Sequence, residues 1–170
     1  MRDKTIYANA PGYFHYYFDL IEGNDLVAEL TLNAEYTLQK IDAIPNNRWH
    51  TAYAQGKWTM VEVIRHVIET ERIFSYRAMR FSRFDSTPLP GFNENEYISA
   101  LSHIVFSKEQ VKNEFRTLRD SSIQLFKSMT PEMLQFAGNA NGWMVTAEML
   151  GFMIVGHGLH HLRVLDERYI

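Results

Sequence analysis

The chain has 170 residues, of which 46% are hydrophobic and 22% charged; its formal net charge is −3 and it contains no cysteine. This length and composition allow a buried core, so we expect one domain over residues 1–170. The lack of a basic cluster argues against nucleic acid as a partner. The lack of cysteine excludes disulfides, a thiolate nucleophile and Cys-ligated metal. No signal peptide and no membrane span are recognisable, so we expect a cytoplasmic protein without a membrane partner.

Residues 1–23 are rich in aromatic side chains and contain a Pro11-Gly12 turn signal. We expect an N-terminal arm with a short helix that packs on the rest of the chain. Exposed aromatic residues of this arm, such as Tyr16 and Phe18, would either form the interface of a homodimer or cover one end of the fold.

Apolar residues recur at helical spacing in four long segments, which predicts an all-α fold, a four-helix bundle. The first helix is expected from Leu26 to about Ile44, the second after the N-cap Thr59, the third from Ser107 or Lys108 to about Met129, and the fourth from Thr146 to near the C-terminus. Thr130-Pro131 predicts a short extra helix. Residues 138–142 are expected to form a loop, and no strand is predicted.

A long crossover is expected between helices two and three. Residues 82–99 lose the helical period, because residues 87–92 contain two prolines and a glycine. Long loops in compact domains are often functional, and Leu89, Phe92 and Tyr97 would let residues 85–97 tuck inward as a lid. A plain connection between helices is the alternative interpretation.

Three histidines lie on the otherwise apolar fourth helix, where an unpaired buried polar group costs ~1–3 kcal/mol. His157 and His161 are four residues apart, so both project from one helical face and can chelate a metal ion. His66 on the second helix is the natural third ligand if the two helices are neighbours. Alternatively, His66 is a histidine at the edge of the core that is hydrogen-bonded to Glu62 or Glu69.

Three neutral imidazoles suit Zn²⁺, Ni²⁺ or Fe²⁺. Three protein ligands leave one position open, which is typical of catalytic rather than structural metal sites. Two more familiar motifs are excluded: Gly158 stands where His-Glu-x-x-His needs its glutamate, and no histidine has the glutamate three residues before it that a di-iron bundle requires. His160 shares a more polar stripe with Arg163, so we expect it beside the metal ligands or at the surface.

Several motifs together resemble the DinB-like (DNA-damage-inducible, YfiT-like) superfamily of metalloenzymes. They are Gly56-Lys57-Trp58-Thr59, His66, Gly156-His157-Gly158-Leu159-His160-His161, Glu71-Arg72-Ile73-Phe74-Ser75-Tyr76-Arg77 and Pro88-Leu89-Pro90-Gly91-Phe92. The resemblance extends from about residue 20 to the end of the chain.

The resemblance implies an up-down-down-up four-helix bundle that is often a homodimer. It also implies a divalent metal ion bound by three histidines, matched here by His66, His157 and His161, and His160 follows the double-histidine pattern of the family. Some members transfer low-molecular-weight thiols such as bacillithiol, or use mycothiol in an isomerase. The family name records induction by DNA damage, which suggests a stress response rather than DNA binding.

These observations favour a metal-dependent enzyme acting on a small molecule, most plausibly a low-molecular-weight thiol S-transferase. Coordination would ionise the thiol, Glu62 or Glu69 would orient the His66 ring, and Arg77 would bind a carboxylate of a peptidic thiol. A salt bridge from Arg77 to a glutamate of a neighbouring helix is the alternative. A metal-dependent hydrolase and a non-enzymatic stress-response binding or scaffold protein are the competing functions.

Overall fold

Four long helices form the framework of the computed structural model, which describes residues 10–169. In chain order the elements are α1 (Gly12–Phe18), α2 (Leu26–Ala43), α3 (Met60–Ser82), α4 (Glu94–Ala100), α5 (Lys108–Lys127), α6 (Pro131–Gln135), β1 (Ala137–Ala140), β2 (Trp143–Thr146) and α7 (Ala147–Arg168). The first nine residues of the predicted N-terminal arm lie outside the described part. Within that part no helix is both long and apolar enough to cross a lipid bilayer.

The long helices begin where their capping residues predict. The Thr59 hydroxyl accepts a hydrogen bond from the Glu62 backbone N–H, and the Glu62 carboxylate accepts one from the Thr59 N–H, which completes a capping box. Ser107 and Gln110 form the same arrangement at the start of α5. Thr146 caps α7 as predicted. These bonds satisfy backbone donors that would otherwise be unpaired at the helix ends.

Helices α3 and α5 run parallel to each other. Near their starts Arg65 pairs with Glu114, and further along both helices the Ser75 and Ser122 hydroxyls lie 3.0 Å apart. Two consecutive helices of a bundle can be parallel only if the chain returns along the whole bundle between them. The predicted long crossover is therefore confirmed; it spans residues 83–107 and contains α4.

Helices α2 and α7 are also parallel. Leu26, at the start of α2, lies against Gly151 near the start of α7, and Lys40 and Asp166, near the two ends, pair at 2.7 Å. Together with the parallel pair α3 and α5, this arrangement gives the up-down-down-up four-helix bundle expected from the sequence. Helix α7 therefore lies beside both α2 and α3.

The prediction of a loop at residues 138–142 is wrong, because these residues belong to a β-hairpin. Strands β1 and β2 are antiparallel, and Ala140 pairs with Trp143. The two residues between them have positive φ, 54° at Asn141 and 83° at Gly142, which is the backbone of a tight two-residue hairpin turn. Leu89 of the crossover adds to it: the Leu89 N–H donates to Asn139 O at 2.9 Å. The hairpin thus ties the crossover to the bundle.

A polar layer separates two apolar clusters in the core. Its centre is Arg119, which is fully buried and donates to both Glu71 carboxylate oxygens at 2.9 Å. The same guanidinium donates to Leu30 O at 3.0 Å and to Asn33 Oδ1 at 2.8 Å. One buried cation therefore joins α2, α3 and α5 at mid-height, where the functional site also lies.

Helix α1 packs on α7, as expected of the short helix in the arm. The contact is close at Gly156: a Cβ atom there would lie 2.4 Å from the Tyr17 backbone oxygen, so only glycine fits without a shift. The expectation that Phe18 forms part of an exposed interface is wrong, because Phe18 is 0% exposed and belongs to the core. Tyr16 remains half-exposed at the surface.

Candidate metal centre

Three histidines from two antiparallel helices meet in the polar layer. The Nε2 atom of His157 lies 2.9 Å from that of His66 and 3.1 Å from that of His161. One nitrogen of each ring lies within 4.8 Å of the other two. His66 and His157 are each 8% exposed, and His161 is partly buried. The structure therefore brings together the three histidines that the sequence singled out.

The contacts among these rings are unfavourable for the protein alone. An imidazole nitrogen carries either one hydrogen or one lone pair in the ring plane. Nε2 of His157 faces two other Nε2 atoms, so a single hydrogen or a single lone pair would have to serve both neighbours. A cation at the common point accepts one lone pair from each ring and satisfies all three. The donor set therefore fits a divalent metal ion of the kind that imidazole prefers.

The environment keeps the three imidazoles neutral. Burial lowers the pKa of His66 to about 4, against which the charge of Glu94 acts weakly. Burial also lowers the pKa of His157 well below its ordinary value, with a smaller contribution from His161 and His66. The pKa of His161 is lowered by burial and by His66. At neutral pH all three rings consequently offer lone pairs without first releasing a proton.

The three histidines line an open cavity of about 400 Å³. This volume falls in the range of small-molecule sites. Its walls are mostly aromatic, with Tyr17, Trp58, Phe74 and Phe92 among them, and its polar lining includes Thr70, Arg77, Glu94, Asn141 and His160. The arrangement can hold a small molecule with one end against the histidine cluster.

A model of the DinB superfamily matches residues 29–165 of the sequence. The chain belongs to the DinB superfamily. The structure is similar to that of YfiT from Bacillus subtilis, described as a probable metal-dependent hydrolase with an unusual four-helix bundle topology: the TM-score is 0.74 at 14% sequence identity, over 84% of this chain and 82% of YfiT. At this identity the likeness shows the fold alone. No curated protein matches the sequence significantly.

Glu62 and Glu69, which the sequence suggested as partners of His66, are engaged elsewhere in this DinB-superfamily protein. Glu62 accepts the capping hydrogen bonds of Thr59. Glu69 accepts a hydrogen bond from Arg65 at 2.6 Å. Neither carboxylate hydrogen-bonds to His66 in the structure, and the His66 ring instead lies beside Trp58, 4.8 Å between centroids. The interpretation of His66 as a histidine held by a glutamate of its own helix is therefore wrong.

Arg77 lines the cavity instead of forming the alternative salt bridge. Arg77 is 6% exposed, and its guanidinium donates a hydrogen bond to Pro90 O at 2.6 Å. The guanidinium carbon lies 6.0 Å from the ring centroids of Phe74 and of Phe92. Among residues 10–169 it pairs with no carboxylate. Burial lowers its pKa, although the nearby Tyr13 and Tyr97 act in the opposite direction.

His160 lies next to the cluster but does not join it. Its Nδ1 atom is 3.1 Å from the Tyr16 hydroxyl, and its ring packs edge-to-face against Tyr17. His160 lines the cavity beside the proposed ligands. This position agrees with the sequence, which places His160 on a more polar stripe of the helix. The hydrogen bond to Tyr16 joins α1 to the wall of the site.

Three polar residues of the cavity, Thr70, Glu94 and Asn141, were not predicted as site residues from the sequence. Thr70 lies four residues after His66 on the same face of α3, and this spacing could have revealed it. Glu94 begins α4 within the crossover. Its place in the cavity could not be predicted, because helical spacing does not show which way the side chains of an irregular segment point. Gly91, Phe92 and Glu94 line the cavity, so the crossover forms one wall of the site.

Proposed function

We propose that this protein is a divalent-metal-dependent enzyme that acts on a small molecule, with His66, His157 and His161 as the metal ligands. The observation that carries the proposal is the convergence of three neutral imidazoles, two buried and one partly buried, in the lining of a cavity. Zn²⁺, Ni²⁺ and Fe²⁺ all suit three imidazoles, so the donor set narrows the metal to this group. A purely structural metal would be enclosed by a fourth protein ligand, whereas this site faces open space.

The residues around the cluster support hydrolysis as the reaction. A divalent cation held by three imidazoles supplies a Lewis acid that makes water a nucleophile near neutral pH. Glu94 lines the same cavity and its charge acts on His66, so its carboxylate accepts the proton that the attacking water loses. Hydrolysis adds the hydroxyl group of the water molecule to one product and its hydrogen to the other. The description of YfiT as a probable metal-dependent hydrolase agrees with this choice.

Transfer of a low-molecular-weight thiol is the second candidate function. Its support is that no carboxylate hydrogen-bonds to the three histidines in the described structure. A divalent metal ion held by these histidines would lower the pKa of a thiol bound to it, so that the thiol would need no carboxylate as a base. The aromatic walls formed by Trp58, Phe74 and Phe92 would hold an electrophilic second substrate away from water.

One set of assays separates the candidates. Untagged protein loaded with one metal ion is tested on p-nitrophenyl esters and on 1-chloro-2,4-dinitrobenzene with a panel of cellular thiols. A hydrolase turns over esters without thiol and loses the activity on chelation, and a Glu94→Gln variant is impaired. Activity only with a thiol and an electrophile supports the transferase. Metal binding without either activity, under all conditions, supports the binding or scaffold function and contradicts an enzyme.

Three expectations from the sequence stay predictions: a cytoplasmic location, a homodimer and a role in the stress response. The dimer can be measured by light scattering. Burial of Phe18 removes one of the two side chains suggested for its interface, which leaves Tyr16 on the exposed side of α1. The other two require localisation and induction experiments in the source cell.

A further inference from the structure

Arg77 is a buried cation without a counter-charge among residues 10–169. Its guanidinium carries five N–H donors, and within the described part of the chain its one hydrogen bond goes to Pro90 O. Burying a charge is costly unless it is paired, so a site that keeps Arg77 at 6% exposure and unpaired is suited to an incoming anion. The Phe74 and Phe92 rings hold the planar guanidinium from two sides of the cavity.

Thr70 is a second unsatisfied polar group in the same cavity. It is 3% exposed, and its hydroxyl has no hydrogen-bond partner in the described part of the chain. A buried hydroxyl without a partner costs free energy that a ligand atom can recover. Because the Thr70 oxygen is itself almost fully covered in the free protein, we expect rotation of this side chain to bring its hydroxyl into contact with a molecule in the cavity.

His66, Thr70 and Arg77 follow one another along a single face of α3, at spacings of four and seven residues. The eleven-residue separation of His66 and Arg77 corresponds to roughly 16 Å along the helix axis. The cavity therefore has a metal-binding end, a hydroxyl in its middle and a cationic end.

We propose that the cavity recognises elongated small molecules that carry one carboxylate: Arg77 binds the carboxylate, Thr70 binds a polar atom in the middle, and the reacting group faces the three histidines. A guanidinium binds a carboxylate through two parallel hydrogen bonds. Arg77 is the one permanent cation among the cavity-lining residues, which matches a single negative charge better than a phosphate dianion. The position of the reacting group rests on the proposed function, whereas recognition of the carboxylate does not.

The test compares hippurate with its uncharged analogue hippuramide on metal-free protein, by isothermal titration. Metal-free protein is used so that the carboxylate of hippurate cannot bind to a metal ion instead of Arg77. Hippurate is expected to bind more tightly than hippuramide by roughly 10- to 100-fold, the range for hydrogen bonds to charged groups. Arg77→Gln should remove this difference in affinity. Arg77→Lys should keep part of it, because lysine retains the charge but cannot form two parallel hydrogen bonds to the carboxylate. Arg72→Gln, on the same helix and paired with Glu114, serves as the control and should leave the difference intact.

Thr70→Val tests the middle contact with a side chain of nearly the same shape. Because the Thr70 hydroxyl has no partner in the free protein, the variant should melt at the same or a higher temperature. It should nevertheless bind both hippurate and hippuramide several-fold more weakly, since each loses one hydrogen bond. A variant that binds both compounds like the wild type contradicts the role of Thr70.

The outcomes distinguish this inference from the proposed function. If hippurate binds only to metal-loaded protein and still binds to the Arg77→Gln variant, its carboxylate lies on the metal ion. That result overturns the role of Arg77, while the metal site stands. If metal-free protein shows the Arg77-dependent preference but the wild type never retains metal, carboxylate recognition stands and the enzymatic proposal falls. Equal binding of hippurate and hippuramide to folded wild-type protein, in both states, overturns the inference.

Discussion

The Nε2 atoms of His66 and His157 lie 2.9 Å apart, although 91 residues separate them in the chain. One atom belongs to α3 and the other to the antiparallel helix α7, so the distance between them depends on how these two helices align along the bundle. A shift of either helix by a single turn, about 5.4 Å, would separate the nitrogens beyond the reach of a common ligand. The packing of α3 on α7 therefore decides whether the site exists.

The metal-free protein should lose stability when the pH falls below 6.5. An unfolded histidine takes up a proton near pH 6.5, whereas burial keeps His66 neutral down to about pH 4 and lowers the pKa of His157 and His161 as well. Between these values the unfolded chain binds more protons than the folded one, so the free energy of unfolding decreases with falling pH. Each histidine contributes up to about 1.4 kcal/mol per pH unit in this window and essentially nothing above it.

Urea unfolding of chelator-treated protein at pH 7 and pH 5 measures this effect. His66→Gln should reduce the loss of unfolding free energy between the two pH values, because one histidine with a lowered pKa has been removed. His103→Gln, at an exposed position before α5, should leave the loss unchanged. An equal loss in wild type and His66→Gln would contradict the assigned burial effect.

Glu71→Gln should be strongly destabilising. Arg119 is 0% exposed and Glu71 supplies its counter-charge through two hydrogen bonds of 2.9 Å. Removing one partner of a buried pair leaves an uncompensated charge, which typically costs about 3–5 kcal/mol. Urea denaturation gives the value. Glu167→Gln, in the exposed pair with Arg163, is the control and should leave the unfolding midpoint nearly unchanged; similar midpoints for both variants would show that the buried pair contributes little.

Gly156→Ala should displace α1 from α7. The added methyl group would meet the Tyr17 backbone oxygen at 2.4 Å, and backbone cannot rotate away as a side chain does. Overpacking of this kind costs about 1–3 kcal/mol. We expect a lower melting temperature and faster chymotrypsin cleavage within α1. Gly12→Ala adds its methyl where nothing lies within 4 Å and should behave like the wild type. Equal cleavage rates in the two variants would mean that the α1–α7 contact tolerates the methyl group.

Glu94→Gln should lower hydrolytic turnover of the metal-loaded enzyme by about 10²–10⁴-fold while the metal remains bound, which is the usual contribution of a general base. Glu96→Gln, two residues along α4 and hydrogen-bonded to Asn93, is the matched control and should retain the rate. Full activity of Glu94→Gln would assign the proton transfer to another group.

The long helices could be predicted because local chemistry specifies their ends. Thr59, Ser107 and Thr146 cap helices through bonds to residues three positions later, and such short-range patterns are visible in a sequence. The hairpin was missed although Asn141-Gly142 is a strong turn signal. Its first strand, Ala-Gly-Asn-Ala, lacks the alternating β-branched or aromatic residues by which strands are recognised. It is held by pairing with β2 and with Leu89, which is tertiary context.

Residue spacing could predict the part of the site that lies on one helix, and His66 could be added as the histidine of a neighbouring long helix. His157 and His161 follow the four-residue spacing of one face, and Thr70 could have been added to His66 by the same argument. The pair of Glu71 and Arg119 joins two helices, and Glu94 enters from the crossover. Such contacts depend on the alignment of separate segments, which a single sequence does not specify.

Metal stoichiometry tests the central claim most directly. Untagged protein expressed in metal-supplemented medium and dialysed extensively is measured by inductively coupled plasma mass spectrometry, together with His157→Ala and the control His103→Ala. We predict one divalent ion per chain in the wild type and in the control, and essentially none in His157→Ala, whose circular dichroism should remain helical. Retention of a full equivalent of metal by folded His157→Ala, or its absence from the wild type, would contradict the three-histidine site.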